Sequence, residues 1–202
     1  AVAPADFERI AMDASRRLAR ARCLPAMDRA GEHRPGWVTL LVVPRSSGSK
    51  PTPSATLRGQ VERAVAERAP ATLVDGERRL VVRGPSYVSV SVDADLVASG
   101  GSVSRLEAQA RETVRAYLHP LTGGESGDGW RFGELPCRSD VFELLEGIER
   151  VDHVADLTIR FETNESLVAV TEGRGEPDTS PDALVHAGTQ ELTARLGDGG
   201  GR

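Results

Sequence analysis

The sequence predicts an α+β fold, and two observations predict it. Stretches with apolar residues at helical spacing take turns along the chain with stretches of period two. The clearest strand places Val88, Val90, Val92, Ala94 and Leu96 on one face and Ser89, Ser91, Asp93 and Asp95 on the other. Its sheet is therefore covered on one side only, or meets a polar partner on the other. Helices set between one-faced strands build a two-layer α/β sandwich, sheet on one side and helices on the other.

The elements follow in order. Pro4 suits a first helical turn, and Phe7, Ile10, Ala11, Ala14 and Leu18 follow at helical spacing, which predicts an amphipathic helix over residues 4–21. Arg16, Arg17, Arg20 and Arg22 would sit near its C-terminus, either as a solvated cap complementing the helix dipole or as a contact to an acidic partner. Residues 25–36 are rich in Pro, Gly and charge and read as a linker. The nearly continuous apolar run from Trp37 to Val43 ends at Pro44, as in a strand buried on both faces. An exposed loop over 45–53 leads to Ser54, which can cap a helix bearing Leu57, Val61, Ala64 and Val65 and ended by Pro70. Arg79 to Arg83 is a short strand, stopped by Gly84-Pro85 before the clear strand begins.

After Gly100-Gly101, Ser104 and Glu107 have capping-box spacing. Val103, Leu106, Ala110, Val114, Tyr117 and Leu118 then form a helical stripe. A glycine-rich loop follows. Ser139 is placed to cap a third helix with Val141, Leu144, Leu145 and Ile148 inward. Ala155, Leu157, Ile159 and Phe161 alternate with polar residues in a last one-faced strand. The core order is β-α-β-β-α-α-β, preceded by the N-terminal helix. Residues 171–182 read as a loop, Thr189 to Leu196 as one more strand, and Gly197 to Arg202 as a flexible tail. The expected organisation is an N-terminal helix and linker over 1–35, the sandwich over 36–162, and a C-terminal extension over 163–202.

Composition limits function. The 202 residues carry a net charge of −5, with Lys50 the sole lysine, so no basic field is present to attract nucleic acid. No signal peptide pattern and no apolar run of about 18 residues is present, which reads as a cytoplasmic product without membrane insertion. The chain opens at Ala1 mid-pattern, as expected of a processed product or a fragment. Cys23 and Cys137 are far apart and lack metal-ligand spacing, which favours two free thiols over a disulfide.

Chemistry-bearing motifs are scarce. His33, His119, His153 and His186 fall in different elements or loops, and none pairs at metal-ligand spacing. Gly48-Ser49-Lys50 lacks the rest of a phosphate loop. Asp93 and Asp95 share a strand face, where a solvated face is the commoner reading than a cation site. No nucleophile-base-acid arrangement is visible, so no enzyme activity, cofactor or metal is expected. The loop from Pro120 to Gly133 concentrates glycines at 123, 124, 127, 129 and 133 around Trp130 and Phe132, in a chain with 4% aromatic residues. Large rings anchor a loop by burial, which predicts one specific shape.

That loop and its surroundings carry a family resemblance. Tyr117-Leu118-His119-Pro120-Leu121-Thr122-Gly123-Gly124, then Gly129-Trp130-Arg131-Phe132-Gly133, Ser139 to Leu145, and Val151-Asp152-His153-Val154 resemble the baseplate J-like proteins. Gly84 to Val90 and Val42-Val43-Pro44 fit the same family, so the resemblance covers most of residues 2–162 in order. These proteins are wedge subunits of contractile phage tails and contractile injection systems. The resemblance implies a structural baseplate component incorporated into a tail-like particle. Its partners would be other wedge subunits, copies of itself, and hub, spike and sheath proteins, in a ring linked to sheath contraction. It implies fold-defining or interface roles for Pro120, Gly123, Gly124, Gly129, Trp130, Phe132 and Gly133, and an interface role for Arg16, Arg17 and Arg20. The alternative is a stand-alone α+β module that binds a small ligand or peptide through the glycine loop.

Overall fold

A computed structural model describes residues 3–69, 73, 79–163, 167–170 and 179–197. The fold is α+β. Within residues 36–162 the elements follow the expected order, but the strands are shared between two sheets. The chain divides into two units, Ala1–Pro85 and Ser86–Arg202. The sequence pattern places segment boundaries near 35 and 163. The break falls at Gly84-Pro85, where proline has no N–H to continue a ladder.

The first unit holds α1 (Pro4–Ala14), β1 (Leu18–Met27), β2 (His33–Pro44), α2 (Ala55–Ala66) and β3 (Leu80–Arg83). Its sheet order is β1-β2-β3, with β1 antiparallel and β3 parallel to β2. Phe7, Ile10 and Ala11 of α1 and Leu57, Val61 and Val65 of α2 pack on Leu40 and Val42. Leu41 and Val43 are buried as well, so β2 is covered on both faces as its apolar run predicts. Ser54 caps α2 by accepting the Leu57 N–H at 3.2 Å. The helix ends at Ala66, before Pro70, which lies outside the described residues.

The expected helix over 4–21 stops at Ala14. Ser15 is extended, its hydroxyl accepts the Arg17 N–H at 3.3 Å, and its carbonyl accepts the Leu18 N–H at 3.1 Å. This turn sends Leu18 into the core from β1, a strand the periodicity hid because Ala, Arg and Cys at 19–23 carry no strong β signal. The arginines therefore cap no helix. The expected linker over 25–36 is the end of β1, a tight turn and the start of β2. In that turn Asp28 Oδ1 accepts the N–H groups of Ala30 and Glu32.

The second unit holds β4 (Ser86–Ala98), α3 (Val103–Tyr117), α4 (Arg138–Glu146), β5 (Val151–Glu162), β6 (Leu167–Val170) and β7 (Ala183–Leu196). Its sheet order is β6-β5-β4-β7. Val88, Val90, Val92, Ala94 and Leu96 of β4 are all buried, as their alternation predicts. Helices α3 and α4 pack on β7 and β5 respectively. Alternation fails at one expected core position: Ala155 is exposed and Val154 buried. A register shift in the β4–β5 ladder after Asp95↔Asp156 explains it. Strand β7 begins at Ala183, ahead of the expected Thr189, and a bulge near Gly188 breaks its period. The expected loop over 171–178 and the tail over 198–202 lie outside the described residues.

Two expected caps are replaced. Helix α3 starts after Ser102, and Ser104 with Glu107 forms no capping box. Glu107 serves the sheet instead: Oε1 accepts the Ala194 N–H at 3.0 Å, while its neighbour Arg111 donates to the Leu192 carbonyl at 2.9 Å. Side chains of α3 thus take the place of a strand along part of β7, a protection that an open edge requires. Helix α4 starts after Cys137, not Ser139, and Asp140 Oδ2 accepts the Cys137 N–H at 3.1 Å.

Two outcomes follow. Glu107→Ala removes the acceptor of a part-buried N–H and should lower stability by about 1 kcal/mol, read as a lower urea midpoint at unchanged slope. Burial pushes the Cys23 thiol from 9.0 up to about 11, with the Glu8 carboxylate adding to the shift. Through that window the unfolded chain loses its proton while the native chain keeps it, so stability falls as pH rises. The urea midpoint of Cys23→Ala should fall less than that of the parent over the same window.

Candidate functional site

The glycine loop is built onto the end of α3, where helical carbonyls lack intrahelical partners. Tyr117 O accepts the Gly124 N–H at 2.8 Å and the Trp130 Nε1–H at 2.9 Å. His119 O accepts the Gly123 N–H at 2.8 Å, Gly123 O accepts the Gly129 N–H at 2.8 Å, and Pro120 O accepts the Trp130 N–H at 3.1 Å. Trp130 is 5% exposed and meets the Tyr117 ring edge to face at 5.3 Å. The loop has one shape, closed on itself, as its aromatic content predicts.

Glycine is required at position 123 by space. A Cβ there would stand 2.0 Å from Tyr117 O and 2.6 Å from His119 O. At Gly124 it is required by conformation, with φ at +76°. Gly133 carries the loop to the sheet: its N–H meets Ala183 O at 2.9 Å, and its carbonyl accepts the Thr179 hydroxyl at 2.8 Å. Phe132 is half-buried.

His119 and the Tyr117 hydroxyl are turned inward, whereas Thr122, Glu125, Ser126 and Asp128 are exposed. His119 Nδ1 accepts the Leu121 N–H at 3.3 Å and lies 2.8 Å from the Thr122 hydroxyl. Nε2 is buried without a hydrogen-bond partner, as is the Tyr117 hydroxyl. Burial pushes that hydroxyl's pKa well above its ordinary value, and the Asp140 carboxylate adds to the shift. His119 is thus committed to the turn rather than paired with Cys137. Both cysteines are free thiols.

Arg16 and Arg17 lie exposed in the turn between α1 and β1, and Arg20 is half-buried on β1. The Arg16 and Arg17 carbonyls accept from Arg45, at 3.2 Å from Nε and 2.7 Å from the backbone N. The structure thus adds Arg45 to the cluster, which spacing along the sequence had no means to show. The glycine loop and the arginine turn belong to different units. An open groove of about 470 Å³ between α1 and α2 is lined by Asp6, Arg9, Ile10, Asp13, Ala14, Ala64 and Arg68. Asp93 pairs with Arg160 at 3.4 Å, and Asp95 accepts the Thr193 hydroxyl. Among the described residues no group of three or more His, Cys, Asp or Glu side chains is placed to hold a metal ion.

No family model and no curated protein matches the chain. Among solved structures it is similar to a chain of the anti-feeding prophage baseplate, determined by cryo-electron microscopy and 6-fold symmetrised. The TM-score is 0.61 at 12% identity, over 92% of this chain and 36% of that one. The likeness is one of fold. This chain spans about a third of the length of the chain it matches.

Two substitutions test the loop. Gly123→Ala forces backbone apart and should cost more than about 3 kcal/mol. Trp130→Phe removes one donor and leaves Tyr117 O its Gly124 bond, which should cost about 1 kcal/mol plus the packing of the smaller ring. Urea unfolding followed by near-ultraviolet circular dichroism checks both.

Proposed function

We infer that the chain is a structural component of the baseplate of a contractile injection system or contractile phage tail, as a wedge subunit of the baseplate J-like kind. One observation carries this: the fold likeness to the anti-feeding prophage baseplate chain extends over 92% of the chain. The loop geometry supports it. Gly123, Gly124, Gly129, Trp130 and Gly133 are engaged with the chain's own backbone, which suits fold-defining residues. A ligand module would instead present free donors and rings there, and no specific observation favours that reading.

In this reading the subunit works by assembly. Copies join with other wedge subunits around the hub and spike, and Arg16, Arg17 and Arg20 serve an interface. The chain is made in the cytoplasm and taken up into a tail-like particle. A ring that assembles and later rearranges with sheath contraction needs moderate contacts rather than one deep apolar seam. Exposed arginines and a polar sheet face provide such contacts.

The test is a pull-down of the tagged chain from its native host, with mass spectrometry and negative-stain microscopy of the product. Sheath, tube and spike proteins together with rings or tail-like particles are expected. A lone species free of tail proteins would overturn the reading.

A further inference from the structure

The sheet of the second unit has one face packed by α3 and α4 and, among the described residues, one face without a helix. The open face is acidic and arranged at a cost. Asp95 of β4 stands directly opposite Asp156 of β5, and Asp93 stands directly opposite Glu191 of β7. Like charges in directly opposed positions destabilise a sheet. Arg160 relieves the second pair, at 3.4 Å from Asp93 and 3.9 Å from Glu191. The first pair has no such relief: Asp95 accepts only a hydroxyl from Thr193, and no cation lies against Asp156 among the described residues. Both carboxylates are exposed. A cation from outside the chain would remove that repulsion.

The same chain carries a complementary surface. From Ala14 to Met27 it has Arg16, Arg17, Arg20 and Arg22 and no Asp or Glu. Arg16, Arg17, Arg22 and Arg45 are exposed. The Ser15 turn and Arg45 hold the backbone of Arg16 and Arg17, and Arg22 lies on β1 opposite Leu41, so these guanidinium groups leave from a fixed base. Guanidinium presents a planar donor fork that matches carboxylates. Strand addition is a poor route for joining copies through β7, whose outer edge is occupied by Gly133, Arg111 and Glu107.

We propose that the Asp95–Asp156 face of one copy receives the Arg16–Arg17–Arg22 surface of the next copy. The occupant is a second copy of this chain. The two patches differ, so the contact is head-to-tail, the type that closes into a ring when the rotation permits. This deepens the ring reading above and rests on it.

The experiment co-expresses two full-length copies with different tags and measures how much of one is recovered with the other. One variant carries Arg16→Glu, Arg17→Glu and Arg22→Glu. The other carries Asp95→Lys and Asp156→Lys. Thermal melts report folding, and Asp95→Asn with Asp156→Asn replaces the second variant if the lysines prevent it. Parent copies should recover each other, and the contact should weaken at ~1 M salt, where the Debye length is about 3 Å. Recovery of either reversed variant with itself should drop about tenfold or more. The arginine-reversed and lysine-bearing variants should recover each other, because every contact between them is again of opposite charge. Full recovery of either variant with itself, failure of the mixed pair, or no association of parent copies would overturn the proposal. The host pull-down separates this from the baseplate reading: tail proteins captured by a chain that ignores its own copies leave that reading standing, and neither result leaves both without support.

Discussion

The carbonyl of Tyr117 is the point on which the connections of the second unit depend. It lies at the end of α3, where a helix runs out of internal donors. Two donors from the same loop converge on it, the Gly124 amide and the Trp130 indole N–H. Bringing both close leaves no volume beside the carbonyl, which is why a Cβ at position 123 has nowhere to go. With the indole seated, the chain continues to Gly133, which meets the first residue of β7. It then reaches Cys137, where Asp140 accepts a part-buried N–H and α4 begins. One helix end thereby sets where the next helix starts and where the parallel strand enters.

The sequence made the periodic parts of this fold readable and hid the parts that depend on partners distant in sequence. The alternation in β4, the apolar run in β2 and the Ser54 cap are local properties, and each is found in the structure. Strand β1 was hidden because Leu18 continues a helical spacing that began at Phe7, and only the Ser15 turn breaks it. Glu107 had the spacing of a cap, but an edge amide some 87 residues away competes for it. The same holds for Ala155, whose inward turn is cancelled by a bulge that arises only when β4 and β5 pair. The glycines and the tryptophan of the loop stood out by composition. Their hydrogen-bond partners did not, since backbone carbonyls leave no trace in a sequence.

The charged residues divide by what they face. Glu8 and Glu107 turn from their helices to backbone N–H groups of β1 and β7, Cys23 at 2.9 Å and Ala194 at 3.0 Å. These carboxylates belong to the fold, because each satisfies a donor at a strand edge. Arg138 does the same for β5, donating to the Leu157 carbonyl at 3.1 Å. The carboxylates of the open sheet face have a different standing. Among the described residues no cation lies between Asp95 and Asp156, and the core beneath would be no less buried with serine or threonine in their place.

A likeness of fold at 12% identity means that few side chains are shared between this chain and the baseplate chain it matches. What two such chains can share is what the backbone demands: apolar residues at the right period, a chain reversal after the first helix, and small residues where amides crowd a carbonyl. Those demands are met inside each unit and leave the outer surface unconstrained. The charge of the open face and of the arginine turn is therefore a property of this chain rather than of its architecture. A fold becomes specific to one neighbour through such surfaces, because like charges set against each other exclude a wrong neighbour as firmly as opposite charges hold the right one.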